Sequence, residues 1–392
     1  MYKKFIKSKP KQKCLLDTKN IMTIFTASKI MQAYKLARKS RKKKQEVYMF
    51  EQNLEYRILK ILDDLKNRKY YHLEYKEIIL FDSKKRYIFS PQFKDHILHH
   101  LVYNEIYDIL DRKMVYTTFA CRKWFWTQKC ILYLRNMIKK EKRRLEKSSF
   151  SNYKNIQGAK DPCYNKLYYL KIDFSKYFFS INHSLLKQKI RKYISNEELL
   201  YCIDLIIDSY KTPKIYDKLL KENNFYTKEK NKWLPIWWLI SQLFANFYLN
   251  DLDQFLKHKL KLKFVRYMDD IIIIWTKEKL SLAKKEIFEF IKQEKLILNP
   301  KKISFNLVDD WIKFVWYKIK NNKIFVWKRI KKSFLRFYDK LENLEKIRNI
   351  LTKQDISRLE SMYYSRTGFF KISDFWENYI KNLGEISISS WG

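Results

Sequence analysis

Glycine, proline and cysteine are scarce in this sequence. Its 392 residues include only 4 Gly, 6 Pro and 5 Cys. The chain has no glycine-rich loop of the kind that binds phosphates in P-loop or dinucleotide-binding proteins. None of the cysteines forms a C-x-x-C pair, so the sequence indicates neither a zinc knuckle nor a disulfide framework and predicts a reducing environment. The cysteines are Cys14, Cys121, Cys130, Cys163 and Cys202.

Long apolar segments are also absent from the sequence. No run reaches the roughly 18 apolar residues that a membrane-spanning helix needs. The first residues, MYKKFIKSKPKQK, lack the apolar core of a signal peptide. We therefore expect a cytoplasmic protein that has no membrane partner.

Acidic residues are outnumbered by basic ones. The chain has 83 Lys and Arg against 42 Asp and Glu, which gives a formal charge of +41. Like charges repel in a compact protein, so this excess indicates a polyanionic partner, with nucleic acid favoured over a membrane surface. Hydrophobic residues make up 46% of the chain, which is enough for a folded core with two or three subdomains.

The first half of the chain has the pattern of a mixed structure. Residues 27–66 and 91–112 have apolar positions at helical spacing, which predicts helices. Residues 76–90 contain two strand-like runs around a polar turn, which predicts a hairpin. The lysine-rich segment 139–166 is interpreted as a loop or insertion.

The second half continues the alternation of strands and helices. An apolar strand is predicted at 167–172, a basic insertion at 211–232, and a helix at 239–260. Residues 263–275 read as a strand, a turn and a second strand, and two short strands follow around 303–326. Antiparallel hairpins of this kind predict an α+β protein rather than a doubly wound sheet.

Two adjacent carboxylates stand out in the segment FVRYMDDIIII. Asp269 and Asp270 are expected at the tip of a hairpin whose strands are apolar on both sides. Adjacent carboxylates beside buried strands are costly unless a divalent cation neutralises them. The alternative is a solvated surface turn, which the isoleucine run disfavours.

A third carboxylate ends another apolar strand. Asp173 follows YYLKI and lies 269 − 173 = 96 residues before Asp269, so only the fold can bring them together. Three carboxylates at the ends of neighbouring strands could hold two hard cations about 4 Å apart, as in polymerase chemistry.

These carboxylates carry a resemblance to a known family. Tyr267-Met-Asp-Asp270 resembles the signature of reverse transcriptases. Asp173, followed five residues later by Phe178, resembles their first catalytic strand. The resemblance continues in order from about residue 27 to about residue 330.

Three further blocks resemble the reverse transcriptases of diversity-generating retroelements. IWWLISQ at 236–242 is similar to their I-G-x-x-x-S-Q, in which most other relatives have Gln instead of isoleucine. ACRKWFWTQK at 120–129 is similar to their A-C-R-K-G-x-G-T-x-K. FVWY at 314–317 is similar to the F-L-G-Y of the primer-grip hairpin.

The resemblance implies a right-hand polymerase fold with fingers, palm and thumb. Its parts would be a basic tail (1–26), N-terminal helices and fingers (27–166), a palm (167–325, with the insertion 211–232) and a helical thumb or tail (326–392). The implied activity is RNA-templated DNA synthesis, error-prone if the retroelement resemblance holds. The alternatives are another bacterial reverse transcriptase, from a retron, a group II intron or a defence system, and a non-catalytic RNA-binding protein.

The resemblance also implies roles for individual residues. Asp173, Asp269 and Asp270 would be catalytic and would bind two Mg²⁺ ions, with Mn²⁺ as a substitute. Lys301 or Lys302 could act as a general acid. The implied nucleotide-binding residues are Lys84, Lys85, Arg86, Phe178, Ile236, Gln242 and Tyr267. The implied primer grip consists of Phe314, Trp316 and Tyr317. Phe178 would be a steric gate, with plain core packing as the alternative.

The implied partners are template RNA, a DNA or RNA primer, deoxynucleoside triphosphates and a small basic accessory protein. The basic segments 29–45, 139–166 and 211–232 are interpreted as contacts for RNA phosphates, with a solvated charged surface as the alternative.

Tryptophan stands where the resembled family has glycine. These positions are Trp124, Trp126, Trp233, Trp237 and Trp316. Such glycines serve turns and close backbone approaches, where a Cβ does not fit. One hypothesis is that the codon is UGA, that the organism reads it as glycine, and that the written sequence translates it as tryptophan. The alternatives are a genuine tryptophan-rich variant and a decayed gene.

Overall fold

The computed structural model describes residues 23–39, 41–82, 84–153, 166–210, 231–236, 238–345 and 351–374. The side chains of residues 82, 84–86, 148–153, 342 and 345 are not described. Most of the predicted N-terminal tail and of the 211–232 insertion lies outside these residues, as do Trp237, Cys14 and Cys163. Within the described ranges, no helix is both long enough and apolar enough to cross a membrane.

The N-terminal part consists of helices and one hairpin, as predicted. In chain order they are α1 (Ala27–Lys39), α2 (Gln45–Glu51), α3 (Leu54–Lys66), β1 (Lys76–Asp82), β2 (Lys84–Ser90) and α4 (Phe93–Lys113). Helix α1 buries Ile30, Ala33, Tyr34 and Ala37, which recur at helical spacing, and packs against α4. The hairpin leaves apolar side chains of β1 in solvent, with Phe81 81% exposed.

Helix α5 (Thr127–Tyr153) corrects one prediction. The segment 139–166 was expected to be a loop or insertion, but its first part continues this helix up to Tyr153. Lysine, arginine and glutamate are good helix formers, so a basic composition alone does not indicate a loop. The apolar face of α5 includes Leu134, Met137 and Ile138, which are buried in the core.

The central sheet has four antiparallel strands in the order β4-β5-β3-β6. The strands are β3 (Leu167–Ile172), β4 (Lys263–Tyr267), β5 (Asp270–Thr276) and β6 (Ser304–Leu307). Ile271 and Ile273 of β5 belong to one hydrophobic core, and Ile272 and Ile274 belong to another. The sheet is therefore covered on both faces, which explains why β5 is a continuous apolar run rather than an alternating one.

Helices cover one face of this sheet. They are α6 (Tyr177–Ser180), α7 (His183–Arg191), α8 (Glu197–Ser209), α9 (Leu239–Tyr248), α10 (Asn250–Gln254) and α11 (Lys277–Gln293). Their buried side chains share one core with α4. The predicted helix at 239–260 is confirmed, although it is divided into α9, α10 and a π-helical turn at Phe255–Lys259.

Three more strands form a separate antiparallel sheet. They are β7 (Ile312–Phe314), β8 (Tyr317–Lys320) and β9 (Lys323–Val326). The prediction of two strands around 303–326 was wrong, since β6 to β9 all lie there. These strands have only three or four residues, too few for a clear alternation. Asn321 and Asn322, both with positive φ, make the tight β8–β9 turn.

Two helices follow, α12 (Lys328–Glu345) and α13 (Lys353–Thr367). They share a small core of Phe337, Leu341 and Ile356. Helix α13 begins with a capping box in which Thr352 and Asp355 bond each other's backbone N–H groups. The helices and the antiparallel sheets described above together confirm the predicted α+β class.

Candidate active site

The tip of the β4–β5 hairpin carries the adjacent carboxylates, as the sequence predicted. Tyr267 pairs with Asp270, so Met268 and Asp269 form a two-residue connection. Met268 has a φ of 56°, in the left-handed region that few non-glycine residues adopt. Its carbonyl oxygen accepts a 2.8 Å hydrogen bond from Nη1 of Arg266, which holds the turn in place.

Arg266 is the centre of a buried polar network that the sequence analysis missed. Its guanidinium is fully buried and forms a 2.6 Å ion pair with Asp253, which is also fully buried. The same guanidinium donates to the side chain and the carbonyl of Asn246, and Thr118 donates to Asp253. An arginine inside the apolar strand Phe264-Val-Arg is the signal that could have identified it.

Asp173 lies beside this hairpin tip. It directly follows β3, whose last residue Ile172 pairs with Ile271 of β5. The Asp173 carboxylate is largely buried, and both its oxygens contact Nζ of Lys302, at 2.9 Å and 3.0 Å. The fold thus brings the three predicted carboxylates to one end of the central sheet.

Burial and mutual repulsion raise the pKa values of the hairpin carboxyls. Burial, followed by the negative charges of Asp270 and Asp173, raises the pKa of Asp269 to about 6. Burial also raises the pKa of Asp270, although Lys171 opposes the shift. Nζ of Lys171 lies 3.3 Å from Oδ1 of Asp270.

The donor set suits a hard divalent cation. Carboxylate oxygens are the ligands that Mg²⁺ prefers. Among the described residues, Oδ1 of Asp270 is buried and forms the 3.3 Å ion pair with Nζ of Lys171. The side chains do not form a finished cage, since the described part of the chain contains no cluster of three His, Cys, Asp or Glu placed to hold a metal. Asp173 instead faces Lys302.

Of the two candidate general acids, Lys302 is the one beside the carboxylates. Burial alone would lower the pKa of Lys302, but its hydrogen bond to Asp173 and the charges of Asp173, Asp270 and Asp269 raise it. Lys301 precedes it in a short 3₁₀ turn, Pro300–Lys302, and its side chain is exposed.

The predicted nucleotide-binding residues come from several elements. Phe178, in α6, is half-buried against the core, and its carbonyl accepts a 2.8 Å hydrogen bond from the N–H of Leu234. This bond joins Phe178 to the segment that contains Ile236. The Tyr267 hydroxyl accepts a 2.9 Å hydrogen bond from Thr127, and Gln242 accepts a 3.6 Å contact from the Cys121 thiol.

The remaining predicted residues lie on hairpins. Lys84, Lys85 and Arg86 belong to β2, opposite Asp82, Phe81 and Leu80. Phe314 and Tyr317 are buried where β7 and β8 join, while Trp316 is 40% exposed. The predicted primer-grip segment is therefore a hairpin, as expected. Within the segment 314–317, Val315 has a positive φ of 53°.

Two of the tryptophans have glycine-like backbones. Trp233 has a φ of 122° and Trp124 a φ of 67°. A non-glycine residue with such a φ is strained by about 1–3 kcal/mol. Trp233 is nevertheless buried, with ring contacts to Phe89 and Tyr210. Trp126 and Trp316, both within the described chain, are not among the residues with positive φ.

Three aspartates at one end of an antiparallel sheet are the arrangement of a nucleic-acid polymerase palm. A family model described as "Reverse transcriptase (RNA-dependent DNA polymerase)" matches residues 127–324. This match covers 324 − 127 + 1 = 198 of the 392 residues. The chain belongs to the reverse transcriptase family. No curated protein matches it in sequence.

Solved telomerases are similar to the chain in structure. Apo telomerase from Candida tropicalis is 14% identical, with a TM-score of 0.44, over 65% of this chain and 49% of that one. Telomerase from Candida albicans with a fragment of telomeric RNA is 12% identical, with a TM-score of 0.42, over 86% and 64%. The Candida tropicalis telomerase with such a fragment is 12% identical, with a TM-score of 0.44, over 81% and 57%. The chain thus spans between about half and two thirds of these proteins.

Proposed function

We propose that this chain is a cytoplasmic RNA-directed DNA polymerase that transfers nucleotides with the help of two metal ions. The observation that carries this proposal is the meeting of Asp173, Asp269 and Asp270 at one end of the central sheet. The β3–β5 register and the two-residue β4–β5 turn create that meeting. Family membership supports the same activity.

The three carboxylates have distinct roles in this proposal. Asp173 and Asp269 would hold both Mg²⁺ ions, for which Mn²⁺ could substitute, and Asp270 would support the second ion's site. When bound, such ions lower the pKa of the primer 3′-hydroxyl and neutralise charge on the triphosphate. Arg266 is a positioning residue, because it fixes the Met268 carbonyl and with it the turn that presents Asp269.

Other side chains would bind the nucleotide and move a proton. Lys302, which contacts both oxygens of Asp173, is placed to donate a proton to the pyrophosphate oxygen as this oxygen leaves. Phe178 occupies space that a ribose 2′-hydroxyl would need. The fingers hairpin brings Lys84, Lys85 and Arg86 to the triphosphate. Gln242 and Tyr267 line the nucleotide site.

We further propose that this polymerase makes error-prone cDNA in a diversity-generating retroelement. Ile236 supports this assignment, because an isoleucine lacks the hydrogen bond that glutamine gives the incoming nucleotide in most relatives. The partners would be template RNA, a primer, deoxynucleoside triphosphates and a small basic accessory protein. Another bacterial reverse transcriptase is the alternative within the family.

The Ile236 assignment predicts a change in fidelity. In the protein with glycine at 124, 126, 233, 237 and 316, we expect Ile236→Gln to lower the rate of misincorporation opposite template adenines, because the new amide restores a contact that orients the nucleotide. Sequencing of cDNA made on a defined RNA template measures the error spectrum. Leu239→Gln, at an exposed position three residues later, is the matched control. An unchanged spectrum in Ile236→Gln would contradict the role given to this residue.

A test of the activity itself uses the hairpin carboxylate. In the protein with glycine at 124, 126, 233, 237 and 316, Asp269→Asn should abolish Mg²⁺-dependent primer extension on an RNA template, because an amide binds hard cations poorly. Asp310→Asn, at an exposed turn position, should leave extension intact. Equal extension by both variants would show that Asp269 is not a catalytic ligand. Binding of RNA without extension, in every variant, would favour a non-catalytic RNA-binding protein.

A further inference from the structure

A groove lies on the N-terminal part of the molecule, separate from the candidate active site. Its volume is about 620 Å³, and it is lined by residues of α2, α3, the start of α4 and the segment before β1. The buried side chains of Phe50, Ile61 and Phe93 contribute apolar surface to its lining. None of the lining residues belongs to the central sheet or to the carboxylate site.

Two exposed aromatic rings line this groove. Tyr56 is 66% exposed and Tyr71 is 65% exposed, although tyrosine usually covers much of its ring in a folded protein. Tyr71 is held in place, because Nζ of Lys94 lies 4.2 Å from its ring centroid and donates to its carbonyl oxygen at 3.1 Å. An exposed ring that is fixed in this way can stack against a nucleobase.

Charged side chains also line the groove. The groove is lined by four cations, Arg57, Lys60, Lys76 and Lys94, and by two carboxylates, Glu46 and Asp64. Glu46 is already paired with Arg41 at 2.9 Å and with Lys76 at 3.3 Å. Burial lowers the pKa of Lys94, while the charges of Asp95 and Asp64 oppose the shift, and a phosphate would stabilise its ammonium further.

The combination of rings and cations favours one kind of ligand. An acidic peptide would use the cations but not the rings, and an apolar small molecule would use the rings but not the cations. Single-stranded RNA uses both, through its bases and its phosphates. The volume is within the range of about 300–1,000 Å³ that is typical of ligand sites, which is room for a short stretch of nucleotides.

We propose that this groove binds single-stranded RNA outside the polymerase site, with bases stacked on Tyr56 and Tyr71 and phosphates held by Lys60 and Lys94. The inference rests on the proposed function, since an enzyme that copies RNA gains from a second contact that keeps the template on the protein. The groove begins next to β1, whose first residue Lys76 lines it.

The test measures RNA binding to the full chain without metal or nucleoside triphosphate. We expect Tyr56→Ala/Tyr71→Ala to weaken the binding of a labelled oligouridylate about fivefold or more, since each base stack adds a large factor. Tyr48→Ala is the matched control, because Tyr48 is 63% exposed on α2 but does not line the groove. Tyr56→Phe/Tyr71→Phe keeps both rings and should bind as the parent does.

We expect RNA to bind other basic surfaces of this chain as well as the groove. A second measurement therefore determines which residues the RNA contacts. Photo-crosslinking with 4-thiouridine RNA, followed by mass spectrometry, should label peptides that contain Tyr56 or Tyr71. An abasic oligonucleotide should bind the double alanine variant and the parent equally. The inference is overturned by an unchanged oligouridylate affinity, by an equal loss for the abasic strand, or by tighter binding of an acidic peptide. Because no polymerisation is needed, a protein that extends no primer still gives a clear result.

Discussion

At the scale of single residues, Arg266 shows how a buried charge can organise an active-site turn. Its guanidinium bonds Asp253, Asn246 and the Met268 carbonyl, so one side chain joins α9, α10 and the β4–β5 tip. Arg266 and Asp253 are both fully buried, so their charges are strongly coupled. Neither group can regain contact with solvent when the other is removed.

Removal of this arginine should be costly. We expect Arg266→Met to lower the free energy of unfolding by about 3–5 kcal/mol, because it leaves the Asp253 carboxylate buried without its cation. Urea unfolding measures the change. Arg112→Met, at an exposed position, should change stability by less than about 0.5 kcal/mol. A similar decrease in the free energy of unfolding in both variants would show that the buried Arg266–Asp253 pair contributes no more to stability than an exposed arginine does.

The tryptophans pose a separate question at this scale. The positive φ of Trp124 and Trp233 supports the hypothesis that glycine stands at these positions in the natural protein. We expect mass spectrometry of peptides from protein made in its own host to show glycine at 124 and 233. The same peptides from a host with the standard code, expressed from a TGG-codon gene, provide the mass reference for tryptophan. Tryptophan at 233 in the native peptides would end the hypothesis.

At the scale of elements, α4 combines structural and electrostatic roles. It buries Ile97, Leu98, Leu101 and Ile106, as the helical spacing predicted. It also buries His96 and His99, and His99 lies 3.1 Å from His72 between their Nε2 atoms. Burial lowers the pKa of each of these three rings, which favours their neutral forms in the folded protein.

This cluster predicts acid sensitivity. Burial, and then the positive charges of Arg41 and His100, lower the pKa of His96 to about 3. An unfolded histidine titrates near 6.5, so the unfolded chain binds more protons below that pH. The stability that these buried histidines contribute should be fully present above about pH 6.5. As the pH drops below that value, the free energy of unfolding should fall by up to about 1.4 kcal/mol per pH unit for each such histidine.

Urea unfolding between pH 7.5 and pH 5.5 measures this slope, at values chosen to bracket the free histidine pKa of about 6.5. His96→Gln should flatten it, because one of the groups that take up protons on unfolding is gone. His258→Gln, at an exposed position on the π-helical turn, should not change it. Identical slopes in His96→Gln and the parent would show that His96 does not contribute to the acid sensitivity.

The same scale shows what sequence patterns could and could not predict. The β4–β5 hairpin and the strand before Asp173 were predicted because their apolar runs end at charged tips. The extent of α5 was not predicted. A helix with many lysines and only a narrow row of buried apolar residues has a composition that is also typical of loops. The contact of Lys302 with Asp173 joins residues 129 positions apart, and no local pattern reports such a pair.

At the scale of the whole molecule, two hydrophobic cores lie on opposite faces of one sheet. Alternate isoleucines of β5 belong to each core, so the strand with the hairpin carboxylates is fixed from both sides. The formal charge of +41 favours a polyanionic partner. The α+β class followed from the alternation of strands and helices with antiparallel hairpins, whereas the convergence of Asp173 with Asp269 needed the fold.

The most direct test of the account is primer extension on an RNA template with Mg²⁺. Two proteins would be compared, the chain as written and one with glycine at 124, 126, 233, 237 and 316. We expect the glycine protein to extend the primer with the nucleotides that the RNA specifies, and the written chain to extend it poorly or not at all. Binding of primer and template by the glycine protein without any extension would contradict the proposal that this chain is a polymerase.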